Sequence, residues 1–349
     1  MGTRRAQVAV LLMAGLVAVG CSSSPTAVST GSSGTPTPTP TLRPSASPSS
    51  SPSPGLAGVS PTPARRPSPS APVPVASPPQ APSPGPATGK VIWSDSRGVV
   101  VSNPDGSGAQ VVEANPTGTA VNTPYTTYIT PADLSPDGQQ IAFSVNPGAP
   151  VPHTNQLDIA AVDGGAPRQL AAPAYNPRWS PDGTKIAYSM FRTETQLNAV
   201  FIANADGSGA HMVAPDGVDP TWSPDGTQLA FTTTNGGSIK TVDVNGSGLR
   251  TLGPGRNAVW SPTSNRIAFN SGTADVPQIT IENSDGSKAQ VVPGANGTLD
   301  DWDPSGTRLL VSIGSGPITI EVVDATSGAR DGIVTTSALY PEASWQRPR

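Results

Sequence analysis

The eleven residues Trp179–Ser189, WSPDGTKIAYS, decide the fold, because the same string returns along the chain. Its other copies are LSPDGQQIAFS at 134–144, WSPDGTQLAFT at 222–232, WSPTSNRIAFN at 260–270 and WDPSGTRLLVS at 302–312, with SWQ at 344–346 as a sixth beginning. The anchor positions 134, 179, 222, 260, 302 and 345 stand 38 to 45 residues apart. A fixed period in that range marks a solenoid, a propeller or a repeat array. Ser-Pro-Asp-Gly is turn chemistry: a short polar residue first, Pro second with its φ preset, then Asp, then Gly.

A second marker falls between the anchors: NPDGSG at 103–108, DGG at 163–165, NADGSG at 204–209, VNGSG at 244–248, NSDGSK at 283–288 and TSG at 326–328. Asp-Gly and Asn-Gly pairs suit tight hairpins that need positive φ. The runs before these turns, among them VVVSN, VFIANA, QITIEN and ITIEVVD, are rich in β-branched residues and read as strands. No segment after Lys90 carries the signals of a capped helix. Each period therefore encodes four antiparallel strands. Strand A ends at the anchor, B is the Ile-Ala-Phe run, C is the β-branched run and D follows the Asp-Gly turn. Four such strands per repeat make a propeller blade, and six markers of each kind give a six-bladed, all-β propeller. The chain begins it at a strand B (Lys90–Trp93) and leaves at a strand A (Ala343–Trp345). Pairing of the two ends closes the ring and leaves no open edge. The last three residues, Arg347–Arg349, are expected to be dispensable.

The string W-S-P-D-G-x-x-I-A-F with a following D-G-S-G turn resembles the repeat of TolB-type β-propellers. The likeness runs through residues 90–349. It departs from the pattern at Leu134, at Thr263-Ser264, and at Asp303 and Ser305, and the separate N-terminal domain of TolB has no counterpart here. The resemblance implies a non-catalytic binding scaffold.

The N-terminus reads as a targeting signal. Arg4 and Arg5 precede an apolar core at 7–20, too short for a comfortable permanent span. The segment ends Ala-Val-Gly before Cys21, which resembles the bacterial lipobox, with Ala18 where Leu is usual. This implies cleavage after residue 20 and acylation of Cys21. Residues 22–89 are Pro/Ser/Thr-rich (TPTPTPT, SPSSSPSP), a composition that cannot bury enough apolar surface to fold. They are expected to form a disordered tether, reaching roughly 200 Å if fully extended. The division is thus a signal peptide at 1–20, a lipidated Cys21 with linker at 21–89, and the propeller at 90–349.

All 24 acidic residues follow the stalk, so residues 90–349 hold 15 Lys/Arg against 24 Asp/Glu, a formal charge of −9. That sign argues against nucleic acid as a partner. A single cysteine excludes an intramolecular disulfide, so the core alone must hold the fold. The expected partner is an envelope protein, a peptide or a cell-wall component, bound by a monomer at the cell membrane's outer side without a cofactor.

The A–B and C–D turns share one face of a propeller, and the B–C and D–A loops share the other. The second face carries the irregular loops, the longest near 113–129 and 145–156, and binding residues concentrate on such loops. Candidate binding residues there are Tyr125 and Tyr128, with Asn176, Asp219, Asn257 and Glu342, each of these four standing three residues before a blade Trp. Trp179, Trp222, Trp260, Trp302 and Trp345 are read as structural, filling the gaps between blades. Asp137, Asp182 and Asp225 are turn residues. Asp300, Asp301 and Asp303 lack the spacing of a Ca²⁺ loop, so no metal is assigned. With only His153 and His211, and no H-E-x-x-H, nucleophile elbow or P-loop, no catalytic residues are assigned. The alternative reading is a propeller lyase or hydrolase acting on a small molecule or glycan at the channel mouth.

Overall fold

The computed structural model describes residues 89–114, 128–146, 155–234, 237–273, 277–314, 318–338 and 343–347. Cys21, the tether, Tyr125 and Glu342 lie outside the described residues. Among those described, the chain forms six sheets of four antiparallel strands and no helix. No helix of the described residues is long and apolar enough to cross a membrane.

The first sheet is composite. Its order is Ser344–Trp345, Val91–Asp95, Gly98–Ser102, Gln110–Ala114, so the C-terminal strand lies innermost beside the first strand of the propeller. Val91 pairs with Trp345 and Ile92 with Ser344, and Gln346 N donates to Lys90 O at 2.8 Å. The other five blades are sequential meanders. Their innermost strands are Tyr128–Leu134, Ala174–Trp179, Val218–Trp222, Arg256–Trp260 and Thr298–Trp302, and these define blades two to six.

The repeated Ser-Pro-Asp-Gly string builds one rigid turn. In blade three Ser180 N donates to Lys185 O at 2.9 Å and Gly183 N donates to Ser180 O at 2.8 Å. The Ser180 hydroxyl donates to Asp182 Oδ1 at 2.6 Å, which also accepts from Thr184 N at 3.0 Å. Equivalent bonds join Ser135 to Asp137 and Ser223 to Asp225. These hydrogen-bonded turn carboxylates are held below the usual range, at Asp182 and Asp225, against the opposing effect of burial.

The core lies between blades. Trp222, Trp260, Trp302 and Trp345 are at most 2 % exposed, and Trp179 is 5 % exposed. Each packs into a cluster shared by neighbouring sheets. Trp345 meets Val91, Trp93 and Val100 of the composite blade and Leu310, Ile320 and Val322 of blade six. Trp222 and Trp302 also use their indole N–H across the blade boundary, donating to Arg178 O at 2.9 Å and Val259 O at 3.0 Å.

Candidate functional site

The innermost strands line the channel, and in blades two to six each slips register shortly before its anchor residue. The slips fall between Thr130 and Ala132, Tyr175 and Arg178, Val218 and Thr221, Arg256 and Val259, and Leu299 and Asp301. A bulge of this kind adds unpaired residues and re-aims their side chains. Two bulges contain Pro177 and Pro220, which fit because a bulged residue needs no ladder N–H.

Asn176, Asp219 and Asn257 begin three successive bulges, with φ of 53°, 54° and 53°. Left-handed backbone is uncommon outside glycine, and Asn and Asp tolerate it best. The turn of chain is fixed from the blade before: Asn176 N donates to Ser144 Oγ at 3.2 Å, and Asp219 N to Ser189 Oγ at 3.1 Å. The three side chains are half-buried and converge on one hollow of about 50 Å³, shared with Arg178, Ala258, Leu299 and Asp300. Asn176 Nδ2 donates to Asp219 Oδ1. Burial raises the Asp219 carboxyl above its ordinary value, opposed by that hydrogen bond and by Arg178. The hollow has room for a few waters or one small side-chain tip. Tyr128 opens the innermost strand of blade two, and its side chain lies outside the described residues.

Deeper in the channel stands an ionic layer that the sequence reading did not single out. Arg178 Nη1 lies 3.6 Å from Asp133 Oδ1 and 3.6 Å from Asp301 Oδ2. Blades three and six are opposite in a ring of six, so the Arg178–Asp301 pair crosses the channel axis. Asp301 is 1 % exposed at its side chain; its Oδ2 accepts from Trp345 N at 3.0 Å and its Oδ1 from Arg347 Nη2 at 2.8 Å. Asp133 accepts from Trp179 N at 2.7 Å; burial raises its carboxyl, Arg178 and the Trp179 N–H oppose the shift, and the Asp301 charge adds to it. Charged residues immediately before the anchors at 134, 179 and 302 were the available signal. Arg347, expected to be dispensable, is instead part of this layer.

On the far side of the layer is a larger hollow of about 560 Å³. It is lined by Ser180, Asp182, Lys185, Trp222, Asp225 and Arg347, with Pro181, Pro224 and Pro262 of three successive turns. It opens on the face of the Ser-Pro-Asp-Gly turns, where Lys90 and Gln346 also lie. Asp300 and Asp303, the other members of the acidic run at 300–303, are engaged inside the fold. Asp300 Oδ2 accepts from Ser312 Oγ, and Asp303 Oδ1 accepts from the backbone N–H groups of Thr307 and Arg308 at 2.8 Å each.

Residues 139–346, well over half of the chain, match the family described as the TolB beta propeller domain. The chain belongs to that family. Its fold is similar to that of TolB from Acinetobacter baumannii, with 14 % identity and a TM-score of 0.61 over 76 % of this chain and 68 % of that one. A TolB-like protein of Agrobacterium tumefaciens is 18 % identical, with a TM-score of 0.53 over 72 % of this chain and 90 % of its own. A chain of a nidogen/laminin complex reaches a TM-score of 0.58 at 12 % identity, covering 74 % of this chain and 100 % of that chain. No curated protein matches the sequence. At such identities the TolB propeller is shared as architecture, and the site must be argued from this chain's own residues.

Proposed function

We propose that the chain is a lipid-anchored, non-catalytic scaffold of the cell envelope. Its propeller holds an envelope protein, a peptide or a cell-wall component on the face opposite the Ser-Pro-Asp-Gly turns. The observation that carries this reading is the convergence of Asn176, Asp219 and Asn257, three bulged residues of left-handed backbone, at one channel mouth. Unfavourable backbone of this kind persists where the surrounding structure enforces it, and it clusters at functional sites.

Membership of the TolB family fits a binding role at the envelope, and the lipobox resemblance around Cys21 supplies the anchor. The partner's side chains need only insert shallowly, because the hollow is small. Among its described residues the mouth offers amide and carboxylate groups, which suit hydrogen bonding to a partner.

The test is photo-cross-linking in intact cells from a probe amino acid at position 219, with position 111 on an outer strand as control. A discrete adduct from 219 and none from 111 is expected; equal labelling from both overturns the site. The anchor is tested separately by Cys21→Ala, which should block processing or release the protein from membranes. Normal processing with unchanged membrane association contradicts the lipoprotein reading.

A further inference from the structure

The two ends of the channel differ about tenfold in free volume, and the larger hollow is at the end to which the scaffold reading assigns nothing. At about 560 Å³ the turn-face hollow is in the range of small-molecule sites, whereas the other mouth is an order of magnitude smaller. Its position is axial. Lys185, Asp225 and Pro262 come from blades three, four and five, and Arg347 follows the innermost strand of blade one, opposite blade four.

Its chemistry is two-signed. Lys185 and Arg347 supply positive charge, and Asp182 and Asp225 supply negative charge. Bare anions meet the two carboxylates and bare cations meet the ammonium and guanidinium, so neither suits the hollow. A ligand carrying both signs satisfies both. Equivalent residues in blades four, five and six are engaged locally: Gln228 donates to Asp243 at 2.8 Å, Arg266 to Gly306 O at 3.2 Å, and Arg308 to Asp331 at 2.8 Å. Lys185 occupies the same strand-B position, yet its ammonium makes no hydrogen bond among the described residues and feels Asp182 only electrostatically. Asp225 directs its turn hydrogen bonds to Oδ1, from Ser223 at 2.6 Å and from Thr227 N and Oγ1 at 3.0 and 2.8 Å. Its Oδ2 remains available on the lining. The prolines of three turns give apolar walls between these charges.

We propose that this turn-face hollow is a second binding site, for a short peptide with free amino and carboxyl ends, its carboxylate on Lys185 and its ammonium on Asp225. It is independent of the partner face.

The probe is tri-alanine, titrated calorimetrically into the purified full-length protein beside its N-acetylated and C-amidated forms. Tri-alanine should bind, and each blocked form should bind at least about tenfold more weakly. Lys185→Met should weaken tri-alanine by about tenfold while leaving the amidated form unchanged. Asp225→Asn keeps the turn acceptor Oδ1 and should weaken tri-alanine while leaving the acetylated form unchanged. Thermal melts establish that both variants are folded. Absence of binding by the folded parent, equal binding of all three peptides, or unaltered tri-alanine affinity in Lys185→Met overturns the proposal. Cross-linking from position 219 should be the same in Lys185→Met as in the parent, which separates failure of this site from failure of the partner face.

Discussion

Closure of the ring by residues 343–347 is the point at which the fold is most exposed to a single cut. Consider first Trp345→Ala. The indole is fully buried and packs against Val91, Trp93 and Val100 on one side and Leu310, Ile320 and Val322 on the other. Truncating a buried Trp to Ala typically costs about 3–5 kcal/mol. For a domain of this size each kcal/mol lowers the melting temperature by roughly 2–4 °C, so a fall of about 6–20 °C is expected. Deleting 343–349 adds to this. The pairing of Ser344 and Trp345 with Ile92 and Val91 disappears, as does the Gln346–Lys90 bond, each hydrogen bond contributing about 0.5–1.5 kcal/mol net. Asp301 loses both Trp345 N–H and Arg347 while keeping Arg178, and leaving a buried charge short of partners costs about 1–3 kcal/mol more. The total reaches the net stability of a domain, about 5–15 kcal/mol. The truncated chain should therefore fail to melt cooperatively by calorimetry, and amide exchange at Val91–Asp95 should lose its protection. If it melts within about 2 °C of the parent, less than 1 kcal/mol has been lost and the composite blade is wrong.

Two further predictions concern buried carboxyls. Glu282 is 7 % exposed and has its carboxyl raised above 4.5, first by burial and then by Asp285, so its contribution to stability is complete below 4.5 and is lost as pH rises through the folded value. Glu282→Gln should add about 1–2 kcal/mol at neutral pH and nothing below about pH 4; equal gains in denaturation midpoint at both pH values would exclude this cause. Asp219→Asn retains a residue suited to a φ of 54° while removing a carboxyl raised by burial, so it should raise the melting temperature at neutral pH and reduce partner capture together. A variant that captures the partner undiminished would remove Asp219 from the site.

The six-bladed plan was legible because one turn is written out almost unchanged in successive blades, and turn chemistry is local. Even the composite blade could be derived, since an orphan strand B at Val91 and an orphan strand A at Trp345 have only each other to pair with. The mouth residues were legible for the same reason: Asn176, Asp219 and Asn257 share one offset from the anchor. What sequence spacing did not supply is the direction of side chains across the axis. The Arg178–Asp301 pair joins residues 123 positions apart from opposite blades. No periodicity relates a cation in blade three to an anion in blade six. The charged residue before each anchor was visible, but its neighbours in space were not. The relative size of the two hollows was likewise beyond sequence reasoning, because it depends on which side chains cross the channel between them.

Arg347 tests that layer most directly. Read as part of a chain end, it should be dispensable, since termini are usually unconstrained. In the structure its guanidinium sits 2.8 Å from Asp301, and only 18 % of its side chain is exposed. Arg178 also contacts Asp301, at 3.6 Å, but shares itself with Asp133 at the same distance. Removing Arg347 leaves two buried carboxylates competing for one cation. Because Arg178 remains and Arg347 is partly solvated, Arg347→Met should cost less than a fully buried pair, about 1–3 kcal/mol. The cost should be electrostatic, so it has a specific remedy. Asp301→Asn in the same background removes the uncompensated charge and keeps one oxygen, so that one of the Trp345 and Trp302 N–H groups that Asp301 accepts from loses its acceptor. The double variant should therefore recover part of the stability lost by Arg347→Met, whereas Asp301→Asn alone should destabilise the parent by stranding Arg347 beside a neutral amide. Additive losses in denaturant midpoints across this cycle would show that the two side chains do not interact, and would reduce Arg347 to the passive tail that its position in the sequence suggests.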